Sequence, residues 1–136
     1  MKKKEPEVEV ELGLHIIEKT FSQKIEETKA KIYDGALRAG NRLEYEGTII
    51  VLGDVNAGAE VISGENVIVL GTIRGLAHAG ASGNKEAIIV CNEIDAPQIR
   101  IADVVKEMGK TENTEGEEEK TKKKRAYIKR SQIILE

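Results

Sequence analysis

Three arginines, one histidine and one cysteine are the side chains whose setting in this sequence could do chemistry. Arg38 and Arg42 flank Gly40, and Arg74 stands directly before Gly75. A guanidinium raised on a glycine turn can pair with a carboxylate or phosphate, although on most surfaces it is only solvated. His78 lies between Ala77 and Ala79, with no Cys, Asp or His beside it at metal-ligand spacing. It reads as a hydrogen-bonded histidine at a corner and not as a catalyst. Cys91 ends the apolar run that starts at Ala87 and reads as a small buried hydrophobe. Gly53-Asp54 and Gly83-Asn84 make no phosphate-binding loop, because no helix is expected after them. No catalytic residue, metal or cofactor is expected, and the chain is not expected to be an enzyme.

These residues must be positioned by a repeat. Leu37, Leu43, Ile49, Val55, Val61, Val67 and Ile73 recur at a spacing of six, and Gly35, Gly53 and Gly71 recur at eighteen. Three sixes make one coil of a parallel β-solenoid. Eighteen residues are also five turns of α-helix, but glycines at 35, 40, 47, 53, 58, 64, 71, 75 and 80 exclude it, at about 1 kcal/mol each in a helix interior. Aligned as 35–52, 53–70 and 71–90, the coils place Leu37, Val55 and Ile73 in one stack, Leu43 and Val61 in a second, and Ile49 and Val67 in a third. Ala39, Ala57, Ser63 and Gly75 are small, as crowded interior positions of a narrow solenoid require. The third coil is two residues longer than the others, which places a bulging loop near Gly80-Ala81-Ser82-Gly83-Asn84-Lys85.

Length and composition fit this architecture. The 136 residues suit one domain, and with no Trp, one Phe and three Tyr the core must be aliphatic. One cysteine excludes an internal disulfide, and no signal sequence or apolar run of the roughly twenty residues needed to cross a bilayer is present, so a cytoplasmic protein is expected. Residues 35–108 carry six Lys or Arg against ten Asp or Glu. That mildly acidic body argues against nucleic acid, which demands a basic face.

Residues 1–31 form a charge-rich leader, with Val8 and Val10 alternating as in one exposed strand and Thr20 to Lys31 composed like a short helix through Phe21, Ile25 and Thr28. Residues 32–108 form the β-helix domain, in which Ala87 to Cys91 and Gln98 to Asp103 are further strands joined by a turn near Asp95-Ala96-Pro97. Residues 109–125 have the composition of a flexible charged linker. There the basic run Lys122-Lys123-Lys124-Arg125 follows Glu117-Glu118-Glu119 and reads as a solvated stretch that partly neutralises itself. Residues 126–136 recover strand character and form a terminal strand that packs on the β-helix and caps it.

The sequence resembles one family closely, the carboxyl-terminal domain of MinC septum site-determining proteins. Leu37-Arg38-Ala39-Gly40-Asn41-Arg42 is similar to its L-R-S-G-Q-R turn, and Gly53 to Val61 to its G-D-V-N-P-G-A-E-V. Gly71 to Ala81 is similar to its G-x-L-R-G-x-A-H-A-G-A, Gln98 to Ala102 to its Q-L-R-I-A, and Ala126 to Glu136 to its terminal strand segment. The match covers 32–108 and 126–136.

The resemblance implies a right-handed triangular β-helix, a homodimer formed through it, docking onto the membrane-associated ATPase MinD and contact with the division protein FtsZ. It implies recruitment to the inner face of the membrane by MinD, so membrane contact is indirect. The family's MinD-binding turn maps onto Arg38, Ala39, Gly40 and Asn41, with Arg42 beside it. Ala39 lacks the family serine's hydroxyl, and Asn41 is one methylene shorter than its glutamine. Arg74 is the candidate contact for the acidic tail of FtsZ. The family's amino-terminal domain has no counterpart in residues 1–31, so inhibition of FtsZ polymerisation is not carried over. Two other readings share the repeat: a bactofilin-like structural polymer, and a hexapeptide-repeat acyltransferase, against which stands the isolation of His78.

Overall fold

The computed structural model describes residues 29–108 and 123–136, all of it strands and turns among those residues. The expected exposed strand at Val8 and Val10, most of the expected helix and most of the charged linker lie outside the described residues. The last two residues of the helix expectation, Ala30 and Lys31, are strand: β1 spans Ala30–Asp34. Their backbone is recruited by parallel pairing with the next coil, which overrides local helix propensity.

About four turns of chain wind in register. On one face β1, β3 (Thr48–Leu52), β5 (Val67–Ile73) and β7 (Ile89–Ile94) pair in parallel. On a second face β2 (Arg42–Tyr45), β4 (Glu60–Ser63), β6 (Leu76–Ala79) and β8 (Gln98–Ile101) do the same. The third face is narrow: the bridges Leu37↔Val55 and Val55↔Ile73, then, past a register shift in β5, the pairs Thr72↔Glu93 and Ile73↔Ile94. Strands so short would be marginal singly, and stacking is what gives each an apolar floor.

The aliphatic ladder is the core. Leu43 pairs with Val61 and Ile49 with Val67, and Val55, Val61, Val67 and Ile73 are fully buried. Alternation along each strand sends Val51, Val69 and Cys91 inward and Ile50, Ile68 and Val90 outward. At about 1.5–3 kcal/mol for each buried aliphatic side chain, this column is the main source of stability.

Two small positions depart from expectation. Ser63 and Gly75 are buried, but Ala39 and Ala57 are exposed. They sit at the outer tip of a corner that bows away from the axis, where stacking between coils, not crowding in the core, limits their size. A Cβ on Gly58 would stand 2.9 Å from that of Ala39.

The third coil is also built differently from the expected two-residue bulge. Val67 pairs with Ile89, twenty-two residues on, whereas Ile49 pairs with Val67 at eighteen. The Arg74-Gly75 corner is two residues shorter than its predecessors, because Glu60 pairs with Leu76 at sixteen. The loop between Ala79 and Ile89 more than makes up the difference. It is tied back by Asn84 to Glu65 at 2.8 Å and by the Ile88 N–H donating to Asn66 Oδ1 at 2.9 Å.

Both ends are closed by devices that stop the stack. At the first coil the inward positions of β1 are Lys31 and Tyr33, and the Lys31 ammonium lies 5.4 Å from the centroid of the Tyr45 ring. At the other end β9 (Val104–Glu107) turns back antiparallel on β8, a strand the sequence did not announce. The terminal segment is a hairpin and not one strand: β10 (Arg125–Lys129) pairs antiparallel with β7 and with β11 (Gln132–Leu135). Its two-residue turn has both Arg130 and Ser131 at positive φ, 56° and 65°, the backbone of a tight antiparallel hairpin.

Candidate docking corner

The corner that joins the narrow face to the second sheet carries the expected binding residues. Leu37 is anchored in the core at 2 % exposure, and Arg38, Ala39, Gly40, Asn41 and Arg42 are all exposed beyond it. The N–H of Asn41 donates to the Arg38 carbonyl at 2.9 Å, and Gly40 has φ of 90°, so residues 38–41 form a tight turn that requires glycine at its third position. Asn41 closes the turn a second time, its Oδ1 accepting the Arg38 N–H at 2.9 Å. Asn41 therefore builds the corner, and its carboxamide oxygen is already engaged.

The same turn recurs one coil later. Ala59 donates to the Asn56 carbonyl at 2.9 Å with Gly58 at φ of 88°, and Gly40 donates to the Gly58 carbonyl at 3.0 Å, locking the two turns together. Asn56 is the middle of the stack: its N–H and its Nδ2 both donate to the Leu37 carbonyl, at 3.0 and 3.1 Å. Arg74 follows Asn56 by eighteen residues, with Nη1 3.1 Å from Asn56 Oδ1 and 3.2 Å from Asp54 Oδ2. Arg38 and Arg74 thus stand on one edge of the prism, two rungs or about 10 Å apart. Sequence reading treated them as separate corners, although thirty-six residues is twice the period.

The three arginines differ in occupation. Arg42 is held by Glu60 at 3.1 Å and Glu44 at 3.3 Å, and Arg74 by Asp54 and Asn56. Among the described residues Arg38 alone of the three has no ion pair. Asp54 in turn sits below the ordinary aspartate pKa, first because the Thr72 N–H donates to its carboxylate at 2.8 Å and then because of Arg74. His78 is on strand β6 and not at a corner, with Nε2 2.9 Å from the Ala102 carbonyl. A carbonyl only accepts, so the ring proton sits on Nε2. Cys91 is 4 % exposed, and burial pushes its thiol up to about 12. Among the described residues no group of three or more His, Cys, Asp or Glu could hold a metal ion, and no helix is long and apolar enough to cross a membrane.

Comparison with known proteins agrees with this geometry. Residues 31–136 match the family model for the septum formation inhibitor MinC, C-terminal domain. A probable septum site-determining protein MinC of Persephonella marina is 38% identical over 118 residues, covering 87% of this chain and 57% of that protein. Its counterpart in Aquifex aeolicus is 41% identical over 102 residues, covering 74% and 51%. The chain spans about half the length of the curated relatives it matches. Among solved structures, a chain of the MinC:MinD cell division protein complex of Aquifex aeolicus superposes with a TM-score of 0.70 at 35% identity, over 80% of this chain and 86% of that one. A family model matched over residues 31–136 and relatives near 40% identity show that this chain belongs to the family of the MinC carboxyl-terminal domain.

Proposed function

We propose that this chain is the dimerising, MinD-docking module of a regulator of division-septum placement, with Arg38 as its principal contact. The observation that carries the reading is the state of Arg38: a guanidinium fixed on a doubly closed turn, exposed, and without an ionic partner among the described residues. A rigid turn loses little entropy when its cation is captured, which makes it a better docking point than a flexible loop. The similarity to a chain solved within a MinC:MinD complex supports MinD as the partner. Through MinD the chain is drawn from the cytoplasm to the inner face of the membrane.

Homodimerisation belongs to the first sheet. Its outer surface carries the row Ile32, Ile50, Ile68 and Val90, with Leu52 and Leu70 beside it. Ile32, Leu52 and Leu70 are 63 %, 39 % and 54 % exposed. An apolar strip of this length is what a second copy would cover. The antiparallel strands at the carboxyl-terminal end support a closed assembly over an end-to-end polymer. Arg74 is the site for the acidic tail of FtsZ. Its exposed pair with Asp54 is of the kind worth about 0–1 kcal/mol and is readily exchanged for an incoming carboxylate.

The deciding experiment is co-sedimentation of the full chain with lipid vesicles, MinD and ATP, comparing it with Arg38→Ala. The native chain should pellet with MinD and the variant should remain in solution. A native chain that stays in the supernatant at saturating MinD overturns the docking function.

A further inference from the structure

The outer face of the second sheet carries an anomaly that the docking corner does not absorb. The middle row across it runs Glu44, Ile62, His78, Arg100 and Val105, each paired with the next in register. Arg100 Nε is buried and has no hydrogen-bond partner, and among the described residues the guanidinium has no acidic partner either. Native proteins rarely leave a buried donor unsatisfied without a purpose.

The surroundings specify what would satisfy it. Arg42, the other cation of this face, is already neutralised by Glu60 and Glu44, so Arg100 is the cation left open. Around it Ile62 and Leu76 are half-buried and Val105 is 44 % exposed, an aliphatic rim around one positive charge. His78 is pinned by the Ala102 carbonyl through Nε2, which leaves Nδ1 as the ring's open acceptor. A fixed cation among aliphatic side chains selects a carboxylate on an apolar ridge. The face is also continuous with the corner, because β2 begins at Arg42, the residue after the 38–41 turn.

We infer that the outer face of the second sheet is the second half of the docking surface, and that MinD seats a carboxylate against Arg100 with aliphatic contacts to Leu76, Ile62 and Val105. This rests on the docking function proposed for the Arg38 corner. A second copy of the chain is the weaker occupant, since the first sheet offers it the longer aliphatic row, Ile32, Ile50, Ile68 and Val90.

The test is a titration of the full chain against MinD and ATP on vesicles of phosphatidylethanolamine and phosphatidylglycerol, using Arg100→Gln, Arg100→Lys and Arg38→Ala, with thermal melts and light scattering on each. Arg100→Gln should weaken binding about tenfold or more, the loss of one charge-assisted contact, and should flatten its salt dependence. Arg100→Lys should recover part of the affinity. Arg100→Gln should melt no lower than the native chain, whereas a merely structural arginine would lower the melt. Native affinity in Arg100→Gln, with binding lost in Arg38→Ala, overturns this inference and leaves the corner standing. Native affinity in both variants removes the Arg38 corner as the docking point and overturns this inference with it, whereas no binding by the native chain overturns the docking function itself. An altered oligomeric state in Arg100→Gln reassigns the face to self-association and also overturns the inference.

Discussion

Arg74 and Asp54 face each other across one rung of the solenoid, Nη1 to Oδ2 at 3.2 Å, at the same edge that presents Arg38. The pair ties the shortened third corner to the coil before it. Asp54 carries more than the ion pair, because its other oxygen accepts the Thr72 N–H at 2.8 Å.

The pH dependence follows from that arrangement. A carboxyl held below its unfolded pKa of about 4 contributes stability above that pH and loses it as pH falls through the folded value. Denaturant midpoints should therefore decline below about pH 4 in the native chain and decline less in Asp54→Asn. Equal slopes for the two proteins would remove Asp54 from the acid response.

Gly75 tests the short corner. A Cβ there would lie 2.4 Å from the Ala59 carbonyl oxygen and 2.5 Å from that of Asn56, both backbone atoms that cannot swing aside. Gly75→Ala should cost about 2–4 kcal/mol, at the upper end for single substitutions. Gly40 has open space around it and suffers only its φ of 90°, so Gly40→Ala should cost about 1–2 kcal/mol. Urea denaturation of both variants gives the ranking directly.

Cys91 should be chemically silent. With its thiol raised to about 12 by burial, the folded chain should resist iodoacetamide at neutral pH and react only when denatured. The linkage has the opposite sign to that of Asp54. The buried thiol stays protonated while the unfolded one ionises above about 8.5, so stability falls as pH rises from there towards the folded value. Cys91→Ala should lose that alkaline decline, measured by melts across the alkaline range.

On the first sheet, Leu70→Glu should shift the chain from dimer to monomer in light scattering while leaving its melt nearly unchanged, because the side chain is 54 % exposed. A dimer that persists places the interface elsewhere.

The ladder was legible because burial repeats with the backbone. Val55, Val61 and Val67 each meet an identical environment six residues on, and parallel pairing converts that spacing into register. Three features escaped for physical reasons. The third coil loses two residues at Arg74-Gly75 and gains more between Ala79 and Ile89, so the gain partly masks the loss along the chain. Val104–Glu107 carries Lys106 on its inward side and alternates without a clear apolar face, which the open end of the stack permits. The terminal hairpin depends on positive φ at Arg130 and Ser131, residues that carry no turn signal of their own. Of the corner, the turn at Gly40 was legible from turn chemistry, while Arg38 was singled out by the family resemblance and not by its own setting. The occupation of Arg42 and Arg74 was not, since Glu60 and Asp54 lie eighteen and twenty residues away and become neighbours only by winding.

The equal corners of the first two coils have a constructional consequence. Coil 53–70 repeats the eighteen-residue step on both sheets, Leu43 to Val61 on one and Ile49 to Val67 on the other. It is an interchangeable storey. A second copy spliced in would lengthen the prism by about 4.8 Å and lift Arg38 one further rung from Arg74. The separation of the two cations is therefore quantised by coil number, and evolution or an engineer can change it only in whole steps.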